Sequence, residues 1–408
     1  MHWESLGFSE FPFEPKPIET ETLGLFTGYE EQQKECKSVL DSVNRTIVVE
    51  GGRGVGTTSF GNFLRFNLHK QKKYFTPSSE IRIEPQWRLE TVLGVIISNI
   101  VREMELHISN IEKKKIFKDA KALSNRLHQS YRSFGVSALG FGASYGRSGQ
   151  TSQPIIVPSQ VLGHHLEDLV GLAKSIGYKN GIILQLNNLD VGTVHEESDL
   201  KYLLNALRDY LHSLGASWLL IGDQNLRGFI ARAVDRVDDV ISYEVTINPL
   251  NQEEFRKLVE KRIAYFRRND KAKFPVDMEV FDYLFMITRG RLRYVFGLLL
   301  RMLTKLRVGD LTDRVTLDFA KPIIRELALE RMKRSEITAT ESKVLEHIAK
   351  NPGIGVTELA KAVKKPLNYV SNVANKLLDA HMVSVTRDGR KRLYFPSVDA
   401  EIAYLNLA

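Results

Sequence analysis

Arg45-Thr-Ile-Val-Val-Glu50-Gly51-Gly-Arg-Gly-Val-Gly56-Thr57-Thr58-Ser59-Phe60 is the stretch on which the reading of this chain turns. Its opening residues form a short β-branched run, which predicts a buried strand that stops at Gly51-Gly52. From Ser59 to His69 the apolar residues Phe60, Phe63, Leu64 and Leu68 recur at helical spacing. Strand, glycine loop and helix in that order open an α/β nucleotide-binding domain. Gly51 to Thr58 fits G-x-x-x-x-G-K-[ST] at every position except the lysine, which is Thr57. Glycines let backbone N–H groups converge on phosphate oxygens, and the helix N-terminus adds partial positive charge. The candidate nucleotide-binding residues are therefore Gly51, Gly52, Arg53, Gly54, Val55, Gly56, Thr57, Thr58 and Ser59. Thr58 stands where a hydroxyl would reach Mg²⁺, and Arg53 is the loop cation available to replace the missing lysine. The same residues also read as a plain glycine turn before a helix.

Working outward, the pattern predicts helices at Glu30–Val43, Leu89–Leu106, Ser159–Ser175 and Leu200–Leu214, with strands at Gly181–Leu186, Ser217–Gly222 and Tyr243–Ile247. Such alternation predicts a parallel sheet. The strand Gly181–Leu186 ends in Asn187-Asn188-Leu189-Asp190. A magnesium-dependent P-loop ATPase usually ends that strand with an aspartate for the metal shell and an acidic base beside it. An asparagine accepts a hydrogen bond from metal-bound water but cannot remove a proton. Asn187 is left as a candidate magnesium contact, and Asn188 and Asp190 as catalytic candidates. The expectation is binding of ATP or ADP with slow hydrolysis or none.

The 408 residues carry 57 Lys+Arg against 49 Asp+Glu, a formal charge of +8 that suits a nucleic-acid partner without demanding one. Hydrophobic residues at 43% and charged residues at 26% are globular values. No apolar run reaches the roughly 18 residues needed to span a bilayer, and no secretory pattern opens the chain. Cys36 is the single cysteine, which excludes an internal disulfide or a multi-cysteine zinc site. The expectation is a cytoplasmic protein with no membrane partner. Residues 1–28, rich in Phe and Pro, read as an N-terminal arm docked on a domain surface; 29–248 as the α/β core; 249–332 as a mostly helical region; and 333–408 as a separate C-terminal unit. Ile108 to Ser133, with Lys113-Lys114-Lys115, reads as a solvated helix face, and the glycine-alternating segment 134–158 as a hairpin insertion.

The order of motifs resembles an AAA+ ATPase of the origin-recognition and STAND-like groups, over about residues 20–330. Phe26-Thr-Gly-Tyr-Glu-Glu31 resembles the F-x-G-R-x-x-E box of that class, with Tyr29 where arginine is common. Trp218 to Gln224 resembles the sensor-1 strand, with Asp223 or Asn225 as the polar sensor. Pro249-Leu-Asn-Gln-Glu-Glu254 resembles the start of the helical lid, and Gly290-Arg-Leu-Arg293-Tyr294 the lid motif whose arginine senses the γ phosphate. The resemblance implies that role for Arg293, an arginine finger at Arg232 or Arg236, and self-association or a protein partner. Its departures, at Thr57, Asn187 and Asn188, fall on catalytic positions. Asp223 reads equally as the cap of a helix beginning near Asn225.

In the C-terminal unit, Thr338-Ala-Thr-Glu341 forms a capping box for a first helix, Thr357–Val363 a second, and Pro366 opens a third reaching about Ala380. Met382–Thr386 and Leu393–Phe395 bracket an Asp-Gly turn. Helix–helix–helix–hairpin is a winged helix-turn-helix, and this part resembles the winged-helix domains of MarR-like regulators. Asn368, Tyr369, Ser371, Asn372, Asn375 and Lys376 are the candidate groove-facing residues, and Arg387, Arg390, Lys391 and Arg392 the candidate phosphate contacts on double-stranded DNA. A winged helix used only for protein contacts is the plainer alternative. The fold class expected is α/β, a P-loop AAA+-like core with parallel sheet, helical lid and C-terminal winged helix. Three functions fit it: a DNA-binding protein with nucleotide as a conformational or assembly ligand, a DNA-stimulated ATPase in replication initiation or transposition, and a nucleotide-independent scaffold or regulator in mobile-element or defence systems.

Overall fold

The computed structural model describes residues 3–133, 157–191, 194–213, 215–308, 314–334, 337–388 and 391–404, with 129–133, 213, 387 and 388 described by backbone alone. The expected hairpin at 134–158 lies, but for its last two residues, outside them. Two compact units divide the chain: 17–248, and 1–16 together with 249–408.

The first unit runs α1 (Glu30–Val39), β1 (Thr46–Gly51), α2 (Thr57–Lys70), β2 (Ile81–Arg82), α3 (Leu89–His107), α4 (Lys115–Ser133), α5 (Ser159–Ser175), β3 (Ile183–Asn187), α6 (Glu197–Ser213), β4 (Ser217–Gly222), α7 (Leu226–Ala233), α8 (Asp235–Asp238) and β5 (Tyr243–Ile247). Its five strands pair in the order β2-β3-β4-β1-β5, every pair parallel. Strands β3 and β4 are buried throughout, which is why they read as mostly apolar runs: helices cover both faces. Period-two alternation sorts their side chains. Ile47, Val49, Ile183, Leu219 and Ile221 join Phe60, Leu64 and Leu68 of α2 on one face. Val48, Leu184, Trp218 and Leu220 join α3, α5 and α6 on the other. Helix α4 buries Phe117, Ala120, Leu123 and Leu127 on this second face and leaves Lys115 and Lys118 exposed, while Lys121 is half-buried and paired with Glu105.

The second unit contains α9 (Gln252–Phe266), α10 (Met278–Ile287), α11 (Leu292–Lys305), α12 (Leu317–Arg334), α13 (Ala339–Lys350), β6 (Ile354–Gly355), α14 (Val356–Val363), α15 (Leu367–Asp379), β7 (Val383–Asp388), β8 (Lys391–Pro396) and α16 (Val398–Tyr404). Capping boxes start α9 at Asn251 with Glu254 and α13 at Thr338 with Glu341. Residues of the arm lie in this unit. Phe13 is fully buried and meets Phe274, Phe281 and Phe296 at centroid distances of 4.9 to 5.4 Å, and the buried Arg262 donates to Pro12 O at 2.9 Å. The antiparallel sheet β6-β8-β7 stands beside α13, α14 and α15. Helix α16 packs on α12, and its buried Asp399 pairs with Arg331 at 3.0 Å. No helix of the described residues is long and apolar enough to cross a membrane.

Candidate functional site

The glycine loop sits at the carboxyl end of β1, between β4 and β5, where ligands bind in open parallel sheets. Its shape is set by glycine. Gly54 and Gly56 hold φ of +90° and +116°, a region L side chains rarely adopt. A Cβ at Gly51 would lie 2.5 Å from Ile247 O, so only glycine fits there. Val55 is buried and returns its N–H to Gly52 O at 3.2 Å, closing the turn. Helix α2 then begins without a side-chain cap, so its first-turn amides are open to an anion. The space beyond Gly56 is empty: a Cβ there would meet nothing within 4 Å. A phosphate fits this cradle.

The side chains around the loop are less conventional. Thr57 packs its methyl against Gly51, at 2.8 Å from where a Cβ would stand. The Thr58 hydroxyl has no hydrogen-bond partner among the described residues. Ser59 Oγ accepts from Ile18 N–H at 3.2 Å, so it ties the segment before α1 to the helix. Arg53 is exposed.

Carboxylates rim the strand ends. Glu50, at the end of β1, accepts from Arg227 N–H at 2.9 Å and so caps the start of α7. Asp223, after β4, accepts from Asn225 N–H at 3.0 Å, and α7 begins one residue later. That bond closes a turn ahead of the helix, whose N-cap is Asn225 with no side-chain cap, so Asp223 is not the helix cap. Burial raises the pKa of Asp190, and the Asp223 charge raises it further, while Arg53 and His195 oppose the shift. Asp223 is also raised by burial. Leu189 N–H donates to Ile221 O at 3.1 Å, which ties the turn after β3 to the end of β4.

Asn187 and Asn188 part company. Asn188 is exposed with φ of +65°. Asn187 is 2% exposed, and its Oδ1 accepts from Gln185 Nε2 at 2.9 Å. Its Nδ2 has no partner, so the free end of this amide is a donor and not a metal ligand. Among the described residues no group of three or more His, Cys, Asp or Glu is placed to hold a metal. A neutral amide whose oxygen already accepts from Gln185 and whose free end is an N–H makes a poorer magnesium ligand than the carboxylate usual at that position.

Motif reading missed the polar network under the loop. Asn62 Nδ2 donates to Ile18 O at 2.8 Å and Glu80 Oε1 at 3.2 Å, while its Oδ1 accepts from Gln185 and from Arg65 Nε. Arg65, 1% exposed, also donates to Thr76, Pro77 O and Ser78 O. Desolvation lowers its pKa to about 10, and Glu80 and Glu103 oppose the shift.

In the second unit, Arg293 is the second residue of α11 and is exposed. Gly290 before it holds φ of +71°, with its Cβ position 2.6 Å from Pro249 Cβ. Arg232 and Arg236 are exposed on α7 and α8 of the first unit. On α15, Val370, Val373, Ala374 and Leu377 are buried. Asn368, Tyr369, Asn372 and Lys376 are exposed, and Ser371 and Asn375 half-buried. Lys364 and Lys365 are exposed in the turn before that helix, and Lys391 and Arg392 at the start of β8. Arg390, and the side chain of Arg387, lie outside the described residues.

No protein-family model matches the chain, and no curated protein matches it. Among solved structures, the Aeropyrum pernix ORC2 protein (ADPNP-ADP complexes) matches at 12% identity and TM-score 0.49, over 97% of this chain and 96% of that one. The Aeropyrum pernix ORC1 protein in complex with DNA matches at 14% and 0.45, over 93% and 92%. The Thermotoga maritima RuvB Holliday junction branch migration motor matches at 13% and 0.42, over 93% and 95%. At such identities and scores the nucleotides and the DNA remain properties of those proteins.

Proposed function

We propose that this chain is a DNA-binding, AAA+-like P-loop protein that takes ATP or ADP as a conformational or assembly ligand and hydrolyses it slowly or not at all. The observation that carries the reading is the loop Gly51–Gly56: positive φ at two glycines and open space ahead of an uncapped α2, at the carboxyl end of an interior strand of a parallel sheet. Gly51, Gly52, Gly54, Val55, Gly56, Thr57, Thr58 and Ser59 form the cradle, and Arg53 supplies charge. Slow chemistry follows from side chains. Thr57 brings no cation, and Asn188 cannot take a proton. In this reading the lid residue Arg293 answers to the γ phosphate. The exposed face of α15 with Lys391 and Arg392 meets DNA, in the geometry of a winged helix with Arg387 and Arg390 on its wing.

Calorimetry with ATP and ADP tests the reading. Binding that Gly56→Asp abolishes supports it; a folded, nucleotide-free protein that binds neither sinks it and leaves a scaffold whose loop is only structural. A second reading, a DNA-stimulated ATPase, draws on the Arg53 charge, which opposes the rise of the Asp190 pKa. Steady phosphate release that DNA stimulates and Asp190→Ala abolishes would select it.

A further inference from the structure

The orientation of Asn187 is decided by a chain of partners that starts outside the site. Ile18 O and the Glu80 carboxylate only accept, so Asn62 must turn its Nδ2 toward them. Asn62 Oδ1 is then the acceptor, held also by Arg65 Nε. Gln185 therefore presents Nε2 to Asn62, and its second N–H reaches Asn187 Oδ1. Asn187 is left with its Nδ2 buried and without a partner. Gln185 Oε1 is left buried without a partner as well, but a reversed Asn187 would set donor against donor.

Register places that atom at the loop. Gln185 faces Asn62 and crowds Gly61. Helix α2 runs back along the sheet from the end of β1. The step from Asn62 to Thr58, one turn toward its N-terminus, covers about 6 Å. From Gln185 to Asn187, toward the carboxyl end of β3 and on the same face, covers about 6.6 Å. Asn187 thus lies beside the turn of Thr58 and the uncapped amides, and what it offers there is a hydrogen, where a metal shell calls for oxygen.

From this we infer that the loop binds the nucleotide's phosphates as the metal-free anion, with Asn187 Nδ2 donating to a phosphate oxygen in the place a magnesium-bound water would take. The inference rests on the nucleotide reading above. It assigns Asn187 a binding and specificity role, the rejection of the cation that most nucleotide sites require. The positive side of the site is then Arg53, the first-turn amides of α2 and this one side-chain N–H.

Titrating ATP and ADP into the full chain, in EDTA and in excess Mg²⁺, decides it. The expected result is tighter binding in EDTA than in excess Mg²⁺, where nearly all ATP carries the cation; equal affinity in the two buffers overturns the rejection of the cation. Asn187→Asp should weaken binding in EDTA by about tenfold or more, since a carboxylate replaces the donor, and should make binding magnesium-dependent. Asn187→Ser, which removes the amide without adding charge, should weaken binding by about tenfold in both buffers. Circular dichroism checks that both variants are folded, and the wild-type comparison needs neither. Wild-type binding lost in EDTA and restored by magnesium overturns the metal-free inference alone. No binding in either buffer overturns it together with the nucleotide reading.

Discussion

The two candidate sites are built from different materials. The loop after β1 is made of backbone: N–H groups aimed by glycine dihedrals and a helix end. The face of α15 and the start of β8 are made of side chains on an ordinary helix and strand: asparagines, a tyrosine, lysines and an arginine. A backbone site survives the loss of its lysine, because most of its donors belong to no particular residue. A side-chain site has no such reserve. The first is vulnerable to changes of conformation, the second to changes of charge.

That contrast can be broken in four places. The largest effect is expected at Arg65→Met, beneath the loop. It removes the donors that hold Asn62, Thr76, Pro77 O and Ser78 O, and should cost about 3–5 kcal/mol of stability in urea unfolding. Wild-type stability in that variant would show that the loop needs no such foundation. Next is Gly56→Asp, which forces a side chain onto φ of +116° and sets a carboxylate at the phosphates. Nucleotide affinity should fall about a hundredfold by calorimetry, while affinity for duplex DNA stays unchanged.

Lys391→Ala with Arg392→Ala should do the reverse. The slope of log affinity against log salt for a DNA duplex should shrink by about 0.9 for each phosphate that the variant no longer neutralises, with ATP binding untouched. An unchanged slope would place the DNA-binding surface elsewhere. The smallest effect concerns pH. The pKa of Asp190 is raised, first by burial, so the native state binds more protons than the unfolded chain just above the ordinary value of 3.8. Its contribution to stability is therefore full below that value and is lost as pH rises through the raised pKa. Asp190→Asn should be more stable than wild type at neutral pH, with an advantage that vanishes toward pH 4 in thermal melts. A constant difference would mean that Asp190 acts through shape alone.

Much of the fold is legible because buried parallel strands write themselves as apolar runs. Ser217–Gly222 and Tyr243–Ile247 coincide with β4 and β5, and Ser159–Ser175 with α5. The strand expected at Gly181–Leu186 is shifted to Ile183–Asn187, because pairing with β4 rather than apolar character sets its ends. Strand β2 has only two residues and exists by its pairing with β3, which no local pattern encodes. At the site, the loop is legible as a spacing of glycines. Asn187 promises an acceptor by its residue type, yet that acceptor belongs to Gln185. The signal for this is a polar residue two before Asn187 in an otherwise apolar strand, and another, Asn62, four after Thr58.

The route of the chain has a consequence for how the protein is made. Phe8, Phe11 and Phe13 are buried in the unit completed by residues 249–408, but about 230 residues of the other unit are synthesised between them and their partners. At ordinary elongation rates those aromatic rings wait on the order of ten to fifty seconds for Phe274, Phe281 and Phe296 to emerge. The sheet can fold while the ribosome is still at work. The arm cannot be buried until Phe296 has emerged, and through that interval the first residues translated remain an exposed aromatic thread.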